Sequence, residues 1–94
     1  MRSRVNERFR KAFEALPDSV QRKARVAYAR WLADPAYPSL HYKKVHDTLP
    51  IYSVRVDLGW RAVGVLEGGE MTWFWIGSHA EYDRVVAALR KKAR

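Results

Sequence analysis

The chain contains no cysteine, which excludes a disulfide framework and any thiolate-ligated metal centre. A small domain without disulfides fits a reducing compartment. No apolar run approaches the roughly 18 residues of a membrane-spanning helix. The first residues, Met1-Arg2-Ser3-Arg4, lack the apolar stretch of a secretory signal. The expectation is a cytoplasmic protein with no membrane partner. Internal repeats and low-complexity linkers are also missing, and 94 residues lead us to expect a single domain spanning 1–94. There is no H-E-x-x-H, P-loop or G-x-G-x-x-G run, and no serine in a nucleophile elbow. The three histidines lack metal-site spacing and have no carboxylate cluster beside them, so neither a metal nor a cofactor is expected.

What is present is apolar bulk and positive charge. Hydrophobic residues make up 48% of the chain and aromatic ones 13%, enough for one compact core. Eighteen Lys and Arg against ten Asp and Glu give a net charge of +8. Such a surface suits a polyanionic partner: nucleic acid, an anionic membrane face or an acidic protein. The bland alternative is a cation-rich surface that only keeps the protein soluble.

Val5, Phe9, Ala12, Phe13 and Leu16 recur at helical spacing, so residues 4–15 read as an amphipathic helix that Leu16-Pro17 ends. Asp18 reads as the N-cap of a second helix, with Gln21 at the capping-box position. Its apolar stripe is Val20, Ala24, Ala27, Tyr28 and Trp31, and Asp34-Pro35 stops it. So short a turn makes the two a helical hairpin. The period then changes to two. Residues 40–46 read as a strand. Tyr52, Val54 and Val56 alternate with Ser53, Arg55 and Asp57 in a second. Residues 60–66 and 71–76 form two more, joined at Gly68-Gly69 by a two-residue turn suited to positive φ. Ser78 and Glu81 then make a capping box for a C-terminal helix marked by Tyr82, Val85, Val86 and Leu89. That helix ends in Arg90, Lys91, Lys92 and Arg94, where cations suit the helix dipole. The fold class expected is α+β: a helical hairpin on an antiparallel sheet of about four strands, with a C-terminal helix.

The Gly68-Gly69 turn pairs Leu66 with Met71, Gly64 with Trp73 and Ala62 with Trp75, setting small residues opposite large ones. For the preceding hairpin, a two-residue Leu58-Gly59 loop would pair Val56 with Arg61, whereas the preferred three-residue loop Asp57-Leu58-Gly59, with Gly59 left-handed, pairs Val56 with Trp60. It gathers Tyr52, Val54, Val56, Trp60, Ala62, Leu66, Met71, Trp73 and Trp75 on one face. The same register sets Arg55 opposite Arg61 on the other face, together with Val63, Val65, Phe74 and Ile76. Like charges facing across strands cost up to ~1 kcal/mol. A bound phosphate would turn that cost into bidentate recognition, whereas the plain alternative is two arginines reaching into solvent.

His79 falls at the first position of the C-terminal helix, where free N–H groups attract anions. Taken alone it reads first as an ordinary exposed loop histidine. Tyr82 lies one turn on, at a spacing that also fits core. In the run His41-Tyr42-Lys43-Lys44-Val45-His46, cations and an aromatic suit a phosphate backbone with stacked bases, or an edge strand protected by charge.

Four strings bring a resemblance: Pro38-Ser39-Leu40-His41-Tyr42-Lys43-Lys44-Val45, Tyr52-Ser53-Val54-Arg55-Val56, Gly59-Trp60-Arg61-Ala62, and Trp73-Phe74-Trp75-Ile76-Gly77-Ser78-His79-Ala80-Glu81-Tyr82. In this order the chain resembles, over nearly its full length, the RelE/ParE superfamily of type II toxin–antitoxin toxins. The last string is similar to the G-[ST]-H-x-x-[YF] ending of histidine-bearing RelE-like members. The resemblance implies a helical hairpin on a curved antiparallel sheet, with an N-terminal strand in some members, which here falls at residues 2–5. It also implies an mRNA endonuclease that acts at the ribosome without a metal. His79 takes the acid/base position and Arg61 that of the phosphate-holding arginine. Arg55 assists, and Tyr82 orients His79 or stacks on a base. Lys43, Lys44, His41 and His46 fall where RNA or ribosomal RNA is bound. The general base is left open between His41, His46 and a lysine, because no acidic residue other than Glu81, assigned to the cap, stands out beside His79. The partners implied are a cognate antitoxin, mRNA and the ribosome, with operator DNA reached only through the antitoxin complex. Alternatives are a ParE-like toxin directed at gyrase, against which His79 speaks, and a nucleic-acid-binding module without catalysis.

Overall fold

The computed structural model describes residues 2–92; Arg94 of the basic tail lies outside them. The elements are β1 (Arg2–Val5), α1 (Glu7–Glu14), α2 (Asp18–Ala33), a 3-10 turn (Pro38–Leu40), β2 (Lys43–Lys44), β3 (Ile51–Asp57), β4 (Trp60–Glu67), β5 (Glu70–Ser78) and α3 (His79–Lys92). The strands form one sheet in the order β1-β5-β4-β3-β2, antiparallel except for β1, which runs parallel to β5. This is the expected α+β class, with five strands rather than about four.

The N-terminal segment divides where a single helix over 4–15 is expected. Residues 2–5 pair with residues 70–73 and cover the edge that β5 would otherwise leave open. Asn6 then caps α1, its side chain accepting from the Phe9 N–H at 2.9 Å. The capping box expected at Asp18 and Gln21 is absent. Pro17 holds the N-cap position, Asp18 sits in the first helical turn, and the Gln21 amide donates back to the carbonyls of Phe13 (3.1 Å) and Leu16 (3.3 Å). Gln21 thus satisfies the open carbonyl end of α1. The strand expected over 40–46 shrinks to the two residues of β2, because Pro38 opens a 3-10 turn and His41 closes it in the left-handed region (φ 44°, ψ 44°).

Each sheet face carries its own core. On one, Leu16, Val20, Ala24, Ala27 and Trp31 from the helical hairpin meet Val54, Ala62, Met71, Trp73 and Ile76. Trp31 and Trp73 pack edge to face at 5.1 Å. On the other, Tyr82 and Val86 of α3 cover Val45, Ile51, Val63 and Trp75.

The Gly68-Gly69 turn has both glycines at positive φ (57° and 77°), and it pairs Leu66 with Met71 and Gly64 with Trp73 as predicted. A Cβ on Gly64 would lie 2.7 Å from Met71 Sδ and 2.8 Å from Trp73 Cε3, so this crossing admits only glycine. Beyond it the register departs from expectation. Val63 pairs with Trp75 and Ala62 with Ile76, leaving Phe74 as a bulge. The extra residue turns the rest of β5 over, so Trp75 joins the α3 face and Ile76 the hairpin face, the reverse of the predicted sides. Of the two β5 indoles, Trp73 thereby packs in the hairpin-face core and Trp75 in the α3-face core. The β3–β4 hairpin also differs. A two-residue Leu58-Gly59 turn pairs Asp57 with Trp60 in place of Val56 with Trp60, and Gly59 has no positive φ. A bulge at Val56 absorbs the extra residue, so Arg55 still faces Arg61.

Candidate active site

The β3–β4 turn and the start of α3 meet at one end of the sheet. Trp60 pairs with Ser78 and Arg61 with Gly77, and the His79 N–H donates to the Gly59 carbonyl at 2.8 Å. Helix α3 begins here because the predicted capping box forms. The Glu81 N–H donates to Ser78 Oγ (3.2 Å), while the Ser78 N–H (3.2 Å) and hydroxyl (2.9 Å) donate to Glu81 Oε1. The Ser78 hydroxyl first, and its N–H second, hold the Glu81 carboxyl below the usual range.

Arg61 is fixed by the turn it leaves. Its Nη1 donates to the carbonyls of Asp57 (2.7 Å), Trp60 (2.9 Å) and Leu58 (3.2 Å). Among the described residues its Nε and Nη2 have no hydrogen-bond partner, so one edge of the guanidinium is open to a ligand. Burial first, and Arg55 second, hold its charge less firmly than usual, while Tyr82, Asp83 and Asp57 act in the opposite direction. Arg55 faces Arg61 across the strands, and its Nη1 lies 3.4 Å from His41 Nε2.

His79 is half exposed. Its Nδ1 stands 3.6 Å from Asp83 Oδ2, one helical turn on, and its ring meets that of Tyr82 edge-on at 5.8 Å. Tyr82 is buried, with its hydroxyl donating to Ser53 Oγ at 3.1 Å. Its ring therefore backs His79 while its polar tip points into the fold. Lys43 and Lys44 are exposed on β2, and with Asp83 and Arg90 they border a cleft of about 290 Å³ between β2 and α3.

The structure thus gathers His41, Arg55, Arg61, Tyr82 and His79 at one end of the sheet, with Lys43 and Lys44 alongside. It places His46 apart: the ring is 7% exposed and its Nδ1 accepts the N–H groups of Thr48 (3.1 Å) and Leu49 (2.9 Å), closing a turn. Two site residues escaped the sequence reading. Asp83 had a usable signal, since residues four apart on a helix are neighbours. Ser53 had none, because its partner lies 29 residues away. No group of His, Asp or Glu among the described residues is placed to hold a metal ion, and no described helix is long and apolar enough to cross a membrane.

The fold is one that solved toxin structures share, and the sequence places the chain in a toxin family. A family model described as a ParE-like toxin domain matches residues 18–84, and the chain belongs to that family. Solved structures share the fold. The RelB–RelE antitoxin–toxin complex of Methanococcus jannaschii is similar with a TM-score of 0.68 at 13% identity, covering 85% of this chain and 95% of that one. The RelE–RelB complex of Pyrococcus horikoshii OT3 gives 0.65 at 15% identity, covering 82% and 92%. A copper-bound mutant toxin from Helicobacter pylori gives 0.62 at 18% identity, covering 86% and 97%. No curated protein matches the sequence.

Proposed function

We propose that the chain is the toxin of a type II toxin–antitoxin pair and a metal-independent endoribonuclease that cuts mRNA on the ribosome in the cytoplasm, stopping translation. The observation that carries this reading is the facing pair Arg55 and Arg61 beside His79 and its carboxylate Asp83. RNA cleavage by the 2′-hydroxyl needs cations to hold the phosphate as its charge grows, and a proton donor for the leaving oxygen. The open edge of Arg61 and the Arg55 guanidinium supply the first. His79, half exposed and with Asp83 3.6 Å from its Nδ1, supplies the second. Lys43, Lys44 and Arg90 track the RNA backbone.

The partner is an antitoxin, as the RelB-bound neighbours support, and the net charge of +8 favours an acidic, amphipathic segment of it. It fits the groove of about 420 Å³ between the hairpin and the sheet, where Phe9, Phe13 and Trp31 lie with Arg4, Arg10 and Arg25. Operator DNA is contacted through that complex.

The ParE-like family description favours a second reading, a toxin directed at gyrase. Expression of wild type and His79→Ala, with mRNA 5′-end mapping, separates the two. We expect growth arrest with ribosomal A-site cuts that vanish in His79→Ala. Arrest that persists in the variant, accompanied by DNA breaks and no RNA cuts, overturns the nuclease reading. Arg61→Ala is expected to lose cleavage while keeping the fold, which circular dichroism checks.

A further inference from the structure

We propose that His41 is the general base of this site and His79 its general acid, with Arg55 and Asp83 fixing which ring nitrogen of each takes part; this rests on the ribonuclease reading above. The two imidazoles have opposite partners. A guanidinium has only donors, so in the 3.4 Å contact with Arg55 Nη1 the His41 Nε2 accepts and bears the lone pair. A carboxylate only accepts, so Asp83 Oδ2, 3.6 Å from His79 Nδ1, favours the form of the ring with hydrogen on that nitrogen. Opposite partners thus assign the two rings opposite roles.

Placement agrees with these roles. Lys43 pairs with Ser53, which puts His41 beside Arg55 two residues further along antiparallel strands; Arg55 faces Arg61, and Arg61 pairs with Gly77, two residues before His79. The row across the sheet is therefore histidine, arginine, arginine, histidine. A phosphate held by the middle pair has one imidazole on either side, as in-line displacement requires. His41 is also the one non-glycine residue at positive φ among the described residues, a conformation imposed by the turn after Pro38. The other candidates fit less well: His46 is buried and its Nδ1 is held by two backbone N–H groups, whereas His41 is exposed and its one contact, the Arg55 guanidinium, is drawn off by a bound phosphate; Lys43 and Lys44 present ammonium donors.

The step balances without a co-reactant. His41 Nε2 takes the 2′-hydroxyl proton, and the 2′-oxygen forms a bond to phosphorus. The bond from phosphorus to the 5′-oxygen breaks, and that oxygen takes the proton from His79 Nε2. The products are a 2′,3′-cyclic phosphate and a 5′-hydroxyl.

The test uses the full chain with programmed ribosomes and two mRNAs, one ordinary and one with sulfur replacing the bridging 5′-oxygen at the cleavage site. A thiolate leaves without protonation. His79→Ala should therefore lose about 100-fold or more on the ordinary mRNA and regain most of it on the sulfur substrate. His41→Ala should lose a similar factor on both. His41→Asn, which tolerates the left-handed backbone but takes up no proton, should match His41→Ala, so misfolding does not explain the loss. Asp83 is a positioning residue, so Asp83→Asn should follow His79→Ala in being rescued by sulfur, and Asp83→Glu should retain activity on both. A His41→Asn variant that cuts the ordinary mRNA like wild type, or is rescued by sulfur, overturns the base assignment and leaves the nuclease reading standing. Wild type that cuts neither mRNA overturns both.

Discussion

The two faces of the sheet do different work. Under the helical hairpin lies a broad aromatic core in which Trp31 and Trp73 cross edge to face, and among the described residues their buried indole N–H groups have no hydrogen-bond partner. Nearby, Tyr42 stacks on Tyr52, and burial first and Tyr52 second push its phenol upward. Polar tips are left unsatisfied there because apolar area decides the packing. Under α3 the core is smaller and gives way at one end to Arg55, Arg61, His79 and Asp83. The hairpin face supplies stability, and the α3 face holds together groups that repel or stay open to a ligand.

Substitutions can break or sharpen that contrast. Trp31→Ala on the hairpin face should have the largest effect, costing ~3–5 kcal/mol by denaturant unfolding, since it empties a site 1% exposed. Gly64→Ala follows at ~1–3 kcal/mol, because the new methyl meets Met71 and Trp73. A cost near zero would show that the packing there is loose. On the α3 face, Tyr82→Phe should cost ~1–2 kcal/mol by stranding the buried Ser53 hydroxyl. RNA cleavage should survive, because the ring against His79 is kept; a large loss of activity would instead place the phenol in the chemistry. A smaller effect is expected of Glu81→Gln and depends on pH. A carboxyl held below its ordinary value adds stability above that value and loses it as pH falls through the folded one. Thermal midpoints of wild type and variant should therefore differ at neutral pH and converge as pH drops below the ordinary Glu value of 4.5. Arg55→Ala should leave stability unchanged or raise it by up to ~1 kcal/mol through relief of the facing charges, while RNA binding falls. A clear loss of stability there would mean that the arginine pair is structural.

Much of this contrast was legible in the sequence. Helical and alternating periods located both hairpin helices and three long strands, and Ser78 with Glu81 announced α3. The errors fall where one residue of slack decides a side. The bulges at Val56 and Phe74 leave no mark in an alternating pattern, and the second sent Trp75 and Ile76 to opposite faces from those predicted. Arg2–Val5 carries too few residues for a strand of its own and becomes one only because β5 offers an open edge. At the candidate site, Arg55 faces Arg61 as expected, but through a two-residue turn and a bulge at Val56 rather than the three-residue loop on which that expectation rested. Asp83 followed from helix spacing yet was passed over, and the contact of His41 with Arg55 needed a turn that only the folded chain forms.

By itself, then, the sequence determined the class of fold and the basic character of the surface, because periodicity and charge are local properties. The tertiary structure decided the fifth strand, the side on which each tryptophan packs and the partners of His41, His79 and Tyr82. Each of these depends on which edges and faces remain open once the rest of the chain has packed.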